Sequence, residues 1–191
     1  MATGKSQEEH KTELIENLNG KTVLLIAPGK SSIEEKDRIA SFMNEDVVMV
    51  SVNYNYPLVN IDYIFLSNLR RFRELDASNR GKCIVTSNIP ADNVYFQTKY
   101  RDLLCDIEAV KDNAGLMAIK FFTQMGVKKI YLAGFDGYSH DEKENYGEST
   151  MAFVTKTAVL DAMNRGMTEM LKKYSELVEL NFLTKPHYVK I

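Results

Sequence analysis

The chain reads as an α/β protein, a three-layer Rossmann-like fold with a mainly parallel sheet and helices on both faces. Three observations predict it. Short, continuous apolar runs rich in branched residues recur at 22–27, 46–52 and 129–133, as expected for strands covered on both faces. Segments of helical periodicity alternate with them. Tight hairpin signals are missing between the runs, so crossovers must join successive strands and leave them parallel.

Residues 1–20 are rich in Gln, Glu and Lys, lack an apolar central stretch and so are not a secretory signal. They read as a linker or a short N-terminal helix. Residues 21–191 then form a single domain, because 191 residues with 45% hydrophobic content supply one well-buried core rather than two.

The run 22–27 is stopped by Pro28-Gly29. Ser31 or Ser32 caps a helix reaching residue 44, with Glu34 and Glu35 in the first turn, where carboxylates complement the helix dipole. Strands at 46–52 and 61–66 end at Asn53 and Asn68. A strand at 82–86 ends at Ser87-Asn88, a short edge piece at 94–97 follows, and 99–111 is less regular. A helix over 113–125, closed by Gly126, feeds the strand 129–133. The polar, glycine-containing stretch 135–149 reads as a lid. A long helical pattern over 150–174 and a strand at 179–183, stopped by Pro186, complete the chain.

Charge narrows the function classes. Net charge is −2 and the isoelectric point about 6.0, with the two signs interspersed, so no basic stripe suggests nucleic acid as a partner. No apolar run approaches the roughly 20 residues of a membrane span. Cys83 and Cys105 fit no metal-ligand spacing and read as reduced, buried thiols in a cytoplasmic protein.

Gly29-Lys30-Ser31 after a buried strand invites comparison with a P-loop. That motif needs a further glycine five residues earlier, so that the loop can wrap its amides around the phosphates; that position is Leu24, inside the strand. The dinucleotide fingerprint also fails, with one of its three glycines present. A more general chemistry survives, in which a glycine turn delivers backbone amides and Lys30 supplies a point charge to an anion.

The strand ends supply the remaining candidates. Gly29, Asn53, Asn68, Asn88 and Gly134 fall along one rim if the strands are parallel, giving an amide-lined crevice or an ordinary set of strand terminators. Asp136, just beyond a buried strand, is placed to receive ligand hydroxyls or to cap its own turn. Tyr54, Tyr56, Tyr138 and Tyr146 fall near the same rim. His140, in the suspected lid, is the available imidazole, while His10 and His187 read as solvated bystanders. Asp136, Asp141 and Glu144 are the carboxylates that a metal-dependent diphosphokinase would require.

The segment 24–31, Asn53, Asn68, and the block running from Asn113-Ala114-Gly115 to Gly134-Phe135-Asp136-Gly137-Tyr138 together resemble the bacterial CMP-sialic-acid-dependent sialyltransferases and the related pterin diphosphokinase-like family. The similarity spans residues 22–183 in order. It implies a cytidine nucleotide or nucleotide-sugar pocket contacted by Gly29, Ser31, Asn53, Asn68, Gly115, Gly134 and Asp136, with Tyr146 an approximate match to a tyrosine that assists departure of the phosphate; Lys30, from the anion-binding turn, and Asn113, at the start of the helix, join them as nucleotide-binding candidates. Asp136 and Tyr138, matched by position, would carry the catalysis of a glycosyltransferase of surface-polysaccharide metabolism, with His140 of the suspected lid, which the resemblance does not match, as the substitute base. The histidine that the sialyltransferases place after this lid has no counterpart between His140 and His187. The chain is also similar to a domain attached to aldolase-type barrels labelled 4-hydroxy-2-oxovalerate aldolase-like. That second likeness implies a noncatalytic accessory or oligomerisation domain, either homo-oligomeric or covalently linked to such a barrel.

Overall fold

The computed structural model describes residues 5–147 and 155–191. Seven strands form one all-parallel sheet: β1 (Thr22–Ile26), β2 (Val47–Val52), β3 (Tyr63–Leu66), β4 (Cys83–Thr86), β5 (Phe96–Thr98), β6 (Lys129–Ala133) and β7 (Glu179–Phe182). Their spatial order is β5-β4-β3-β2-β1-β6-β7. Thus β1 is central, successive strands step outward on one side as far as β5, and the chain then crosses back to lay β6 against β1. Register is direct, Ile26 standing opposite Ser51 on one side and Ala133 on the other.

The helices are α1 (Gln7–Leu18), α2 (Ser31–Glu34), α3 (Lys36–Phe42), α4 (Leu69–Glu74), α5 (Tyr100–Leu103), α6 (Ala114–Gln124) and α7 (Thr157–Ser175). Alternate residues of each strand feed two cores. On one face Val23, Leu25, Val50, Phe65 and Leu132 pack under α1, α5, α6 and α7. On the other, Leu24, Ile26, Met49, Ile64 and Leu66 pack under Ile39 of α3 and Phe72 of α4. This double coverage is why the strands are apolar on both faces. Helix α6 is buried on nearly every side, and Phe121 sits between the rings of Phe65 and Phe96 at centroid distances of 5.9 and 6.0 Å.

Several expectations shift. The amino-terminal segment carries α1, which Ser6 and Glu9 close with a reciprocal capping box and whose Leu14 and Leu18 are buried in the main core. Of the two readings of this segment it takes the short N-terminal helix, which packs on the sheet because the apolar positions of a weak stripe still found a surface to cover. The single helix expected to reach residue 44 divides at Glu35 (φ −108°, ψ 31°) into α2 and α3. Helices α4 and α5 lie where no helix was expected. The start of the long helical pattern, 150–154, lies outside the described residues. Both cysteines are free and buried. Among the described residues, no helix is long and apolar enough to cross a membrane.

Candidate functional site

The chain's direction of travel through the sheet reverses between β1 and β6, and a parallel sheet opens a crevice outside its carboxyl edge at such a point. Here the loops after β1 and β6 meet closely. Ala27 N–H donates to Ala133 O at 2.8 Å, continuing the ladder, and Gly29 N–H donates to Gly134 O at 3.1 Å. A Cβ on Gly29 would stand 2.7 Å from Asp136 Oδ2 and nearer still to the Gly134 carbonyl, so only glycine permits this approach. Gly134 itself takes φ +70°, the left-handed region that glycine occupies without strain.

Asp136 fastens the two loops together. It is 2% exposed, and Oδ2 accepts the Ser31 N–H at 2.7 Å while Oδ1 accepts the Ser31 hydroxyl. With that hydroxyl proton committed, Thr184 Oγ1–H donates to Ser31 Oγ across 2.8 Å, and Thr184 in turn accepts from Gly134 N–H at 2.9 Å. One chain of hydrogen bonds therefore ties the ends of β1, β6 and β7. Burial pushes the Asp136 carboxyl above its ordinary range, opposed by the Ser31 hydrogen bonds and the charge of His187.

The cavity above this clamp is about 110 Å³. Gly29 and Asn53 line it from the ends of β1 and β2, Asn113 and Gly115 from the start of α6, and Gly134, Asp136, Tyr138 and Tyr146 from the segment after β6. Asn113 caps α6 by accepting Leu116 N–H at 3.1 Å, and its Nδ2 donates to the Tyr138 hydroxyl at 3.2 Å. The backbone of Tyr138 is held from both directions by the Asn164 side chain, each bond 2.7 Å. Burial pushes the Tyr138 phenol up to about 12 and raises that of Tyr146 as well. Both phenols keep their protons through the neutral range.

Other candidates are engaged elsewhere. Lys30 turns to Glu144 and to Glu34, 3.9 Å away, and lines a neighbouring cavity instead. The Ser31 side chain is spent on Asp136. Asn68 is exposed and caps α4 by accepting Arg71 N–H at 3.2 Å, and Asn88 donates to Ser67 O at 3.0 Å; both are ordinary terminators rather than crevice amides. Tyr54 and Tyr56 brace the β1–α2 turn, donating to Ala27 O and Ser32 O at 3.2 and 2.7 Å. His140 pairs with Asp161 at 2.7 Å on the exposed flank of α7 and is absent from the described cavity lining.

The suspected lid is, over its described part, a packed rim. Phe135, Asp136, Ser139 and Asn145 are buried, with Asn145 bonded to the Ser139 N–H and donating to Ser139 O; residues 148 and 149 lie outside the described residues. Asp136, Asp141 and Glu144 do not converge: Asp141 caps the turn Glu142–Glu144, Glu144 pairs with Lys30, and no metal-sized acidic cluster occurs among the described residues.

Sequence reasoning missed Thr184, Asn164 and Met167. The first two gave no motif signal because they act on groups distant in sequence, whereas Met167, on the buried stripe of α7, was detectable only as core. Comparison with protein-family models, with curated proteins and with solved structures finds no match to this chain.

The resulting site is donor-rich. Asp136 is the one charged side chain among the described lining residues, and its oxygens are already committed. The rest of the polar lining consists of the side chains of Tyr138, Tyr146 and Asn53 and the start of α6, whose first N–H groups have no intrahelical partners. Such a lining can receive an anion or a polar heterocycle.

Proposed function

We propose that this chain binds a nucleotide or nucleotide sugar in the β1/β6 crevice, with a phosphate at the amino terminus of α6. The observation that carries the proposal is the opening of Ala114 and Gly115, the first residues of α6, onto the switch-point cavity. A helix start of this kind offers unpaired N–H groups and the positive end of the dipole to an anion. Arg71 and Arg70 lend a further positive field, which reaches the Tyr146 phenol. The resemblance to the cytidine-nucleotide enzymes supports the same ligand class.

The geometry favours binding without sugar transfer. Asp136 is a clamp and His140 stands outside the lining, so the crevice has donors for a nucleotide but no positioned base among its described residues. A binding module of a larger enzyme would need no more. Calorimetric titration with CMP, CDP, UDP and their sugar conjugates tests the reading. Saturable heat with at least one of them is expected, and silence from all of them at millimolar concentration removes it.

A further inference from the structure

The sheet ends in β5 on one side and β7 on the other, and the chain treats these two edges differently. At β5, Thr98 faces β4, its carbonyl accepting Ser87 N–H at 2.8 Å, so the neighbouring Gln97 faces outward. Its N–H is taken by Gln7 Oε1 of α1 at 2.8 Å. At β7, Glu179 N–H donates to Lys128 O at 3.0 Å and Leu183 N–H to Leu132 O at 2.7 Å. A regular parallel register joins these two bonds, so Glu179, Asn181 and Leu183 face β6 while the N–H and C=O groups of Leu180 and Phe182 point outward. Among the described residues nothing bonds to those outward groups. We propose that this edge is an interface between two copies of the chain, β7 pairing antiparallel with the same strand of a second copy about a two-fold axis through Asn181.

Self-complementarity selects a second copy as the occupant, since a two-fold interface must match a surface to itself. With the axis at Asn181, Leu180 of one copy stands opposite Phe182 of the other. Each such pair exchanges both of its N–H···O bonds, and the outward groups of the strand are all used. Both side chains pack with the core beneath α7, so apolar meets apolar and that core continues across the seam. Asn181 meets its own counterpart as a non-hydrogen-bonded pair, the kind in which side chains come closest. An amide carries both donors and an acceptor, which lets it bond to its twin.

Nothing in β7 opposes this pairing. Edges are kept solitary by proline, by bulges or by charge, and β7 has no proline and an unbroken register. Its one charge, Glu179, is paired within its own sheet to Lys129 at 2.8 Å. Four residues suffice because both outward-facing ones lie symmetrically about the centre. Antiparallel pairing sets the carboxyl edges of the two sheets at opposite ends, so the two β1/β6 crevices open in opposite directions and neither is covered. The interface is therefore independent of the nucleotide reading.

Sedimentation velocity across a range of protein concentration reads the assembly. The wild type is expected to move from 21.8 kDa toward twice that mass as concentration rises to the millimolar range. Hydrogen exchange reads the register: the Leu180 and Phe182 amides should gain protection with rising concentration, while those of Asn181 and Leu183, already bonded to β6, stay as they are. Phe182→Pro removes an outward donor without touching the β6 ladder and should abolish the dimer. Asn181→Lys and Asn181→Asp each set like charges directly opposite and should weaken self-association about two- to fivefold. An equimolar mixture of these two variants should associate more tightly than either alone. Circular dichroism checks that each variant is folded, and if Phe182→Pro is not, the charge-swap mixture decides. A wild type that stays monomeric at millimolar concentration overturns the proposal. So does a dimer whose Leu180 and Phe182 amides exchange as in the monomer, one that survives in folded Phe182→Pro, or a mixture no tighter than its components.

Discussion

Replacing Gly29 by alanine strikes the contact on which both the fold and the site depend. The added Cβ would come within 2.7 Å of Asp136 Oδ2 and 2.8 Å of the Gly134 carbonyl carbon, and closer to its oxygen. Two of these three atoms are backbone and the third belongs to a carboxylate held by two hydrogen bonds, so none can yield cheaply. Relief requires the β1 and β6 loops to part by about 1 Å, since overpacking is resolved only by shifts of the surrounding structure. That separation breaks the 3.1 Å bond from Gly29 N–H to Gly134 O and stretches the one from Ser31 N–H to Asp136. Strain of about 1–3 kcal/mol adds to about 1 kcal/mol for the neutral hydrogen bond and 1–2 kcal/mol for the weakened charged one. The total is about 3–6 kcal/mol, a large share of the roughly 5–15 kcal/mol that stabilises a domain. Urea unfolding followed by circular dichroism measures it, and the melting temperature should fall by roughly 6–24 °C for a chain of this size. Gly81→Ala is the matched control, because a Cβ there meets nothing within 4 Å. A Gly29→Ala protein within about 1 kcal/mol of wild type would refute the reasoning.

Other substitutions separate the roles assigned above. Burial raises the Asp136 carboxyl in the folded state, so its contribution to stability is full below the ordinary carboxylate range and is lost as pH rises through the raised folded value. Asp136→Asn should flatten that part of the profile, measured as the urea midpoint against pH, and parallel wild-type and variant curves would contradict it. Asn113→Ala removes the α6 cap and should cost about 0.5–2 kcal/mol by thermal unfolding, with weaker nucleotide binding in titration; full affinity in the variant would dissociate α6 from the site. His140→Ala should leave nucleotide affinity unchanged and alter stability by less than about 1 kcal/mol, since it breaks only an exposed pair. A large loss of affinity on calorimetry would return His140 to the crevice.

The sheet was legible because a strand covered on both faces must be apolar throughout, and runs such as 22–27 and 46–52 have few other uses. Their ends were less so: β3 begins at Tyr63 and not at residue 61, and β5 is displaced to Phe96–Thr98. Helix α4 escaped notice because Leu69–Glu74 carries three arginines and buries only Phe72, too little for a periodic stripe. In the site, the glycines and Asn113 were readable from their positions beside strands and helix starts. The orientation of a side chain was not. Ser31 and Asp136 are 105 residues apart, and whether Asp136 faces a ligand or Ser31 depends on how closely two loops approach. Lys30 turned outward for the same kind of reason, since Glu144 and Glu34 lie on the far side of the turn.

The central claim is that a nucleotide sits at the β1/β6 switch point with its phosphate on α6. Titrating CMP into the isotopically labelled protein and following backbone amides tests it most directly. The account predicts saturable shifts concentrated at Gly29, Ala114, Gly115 and Gly134. Absence of shifts at millimolar CMP, or shifts gathered instead at the Ser87, Asn88 and Tyr100 surface beyond β4 and β5, would contradict it.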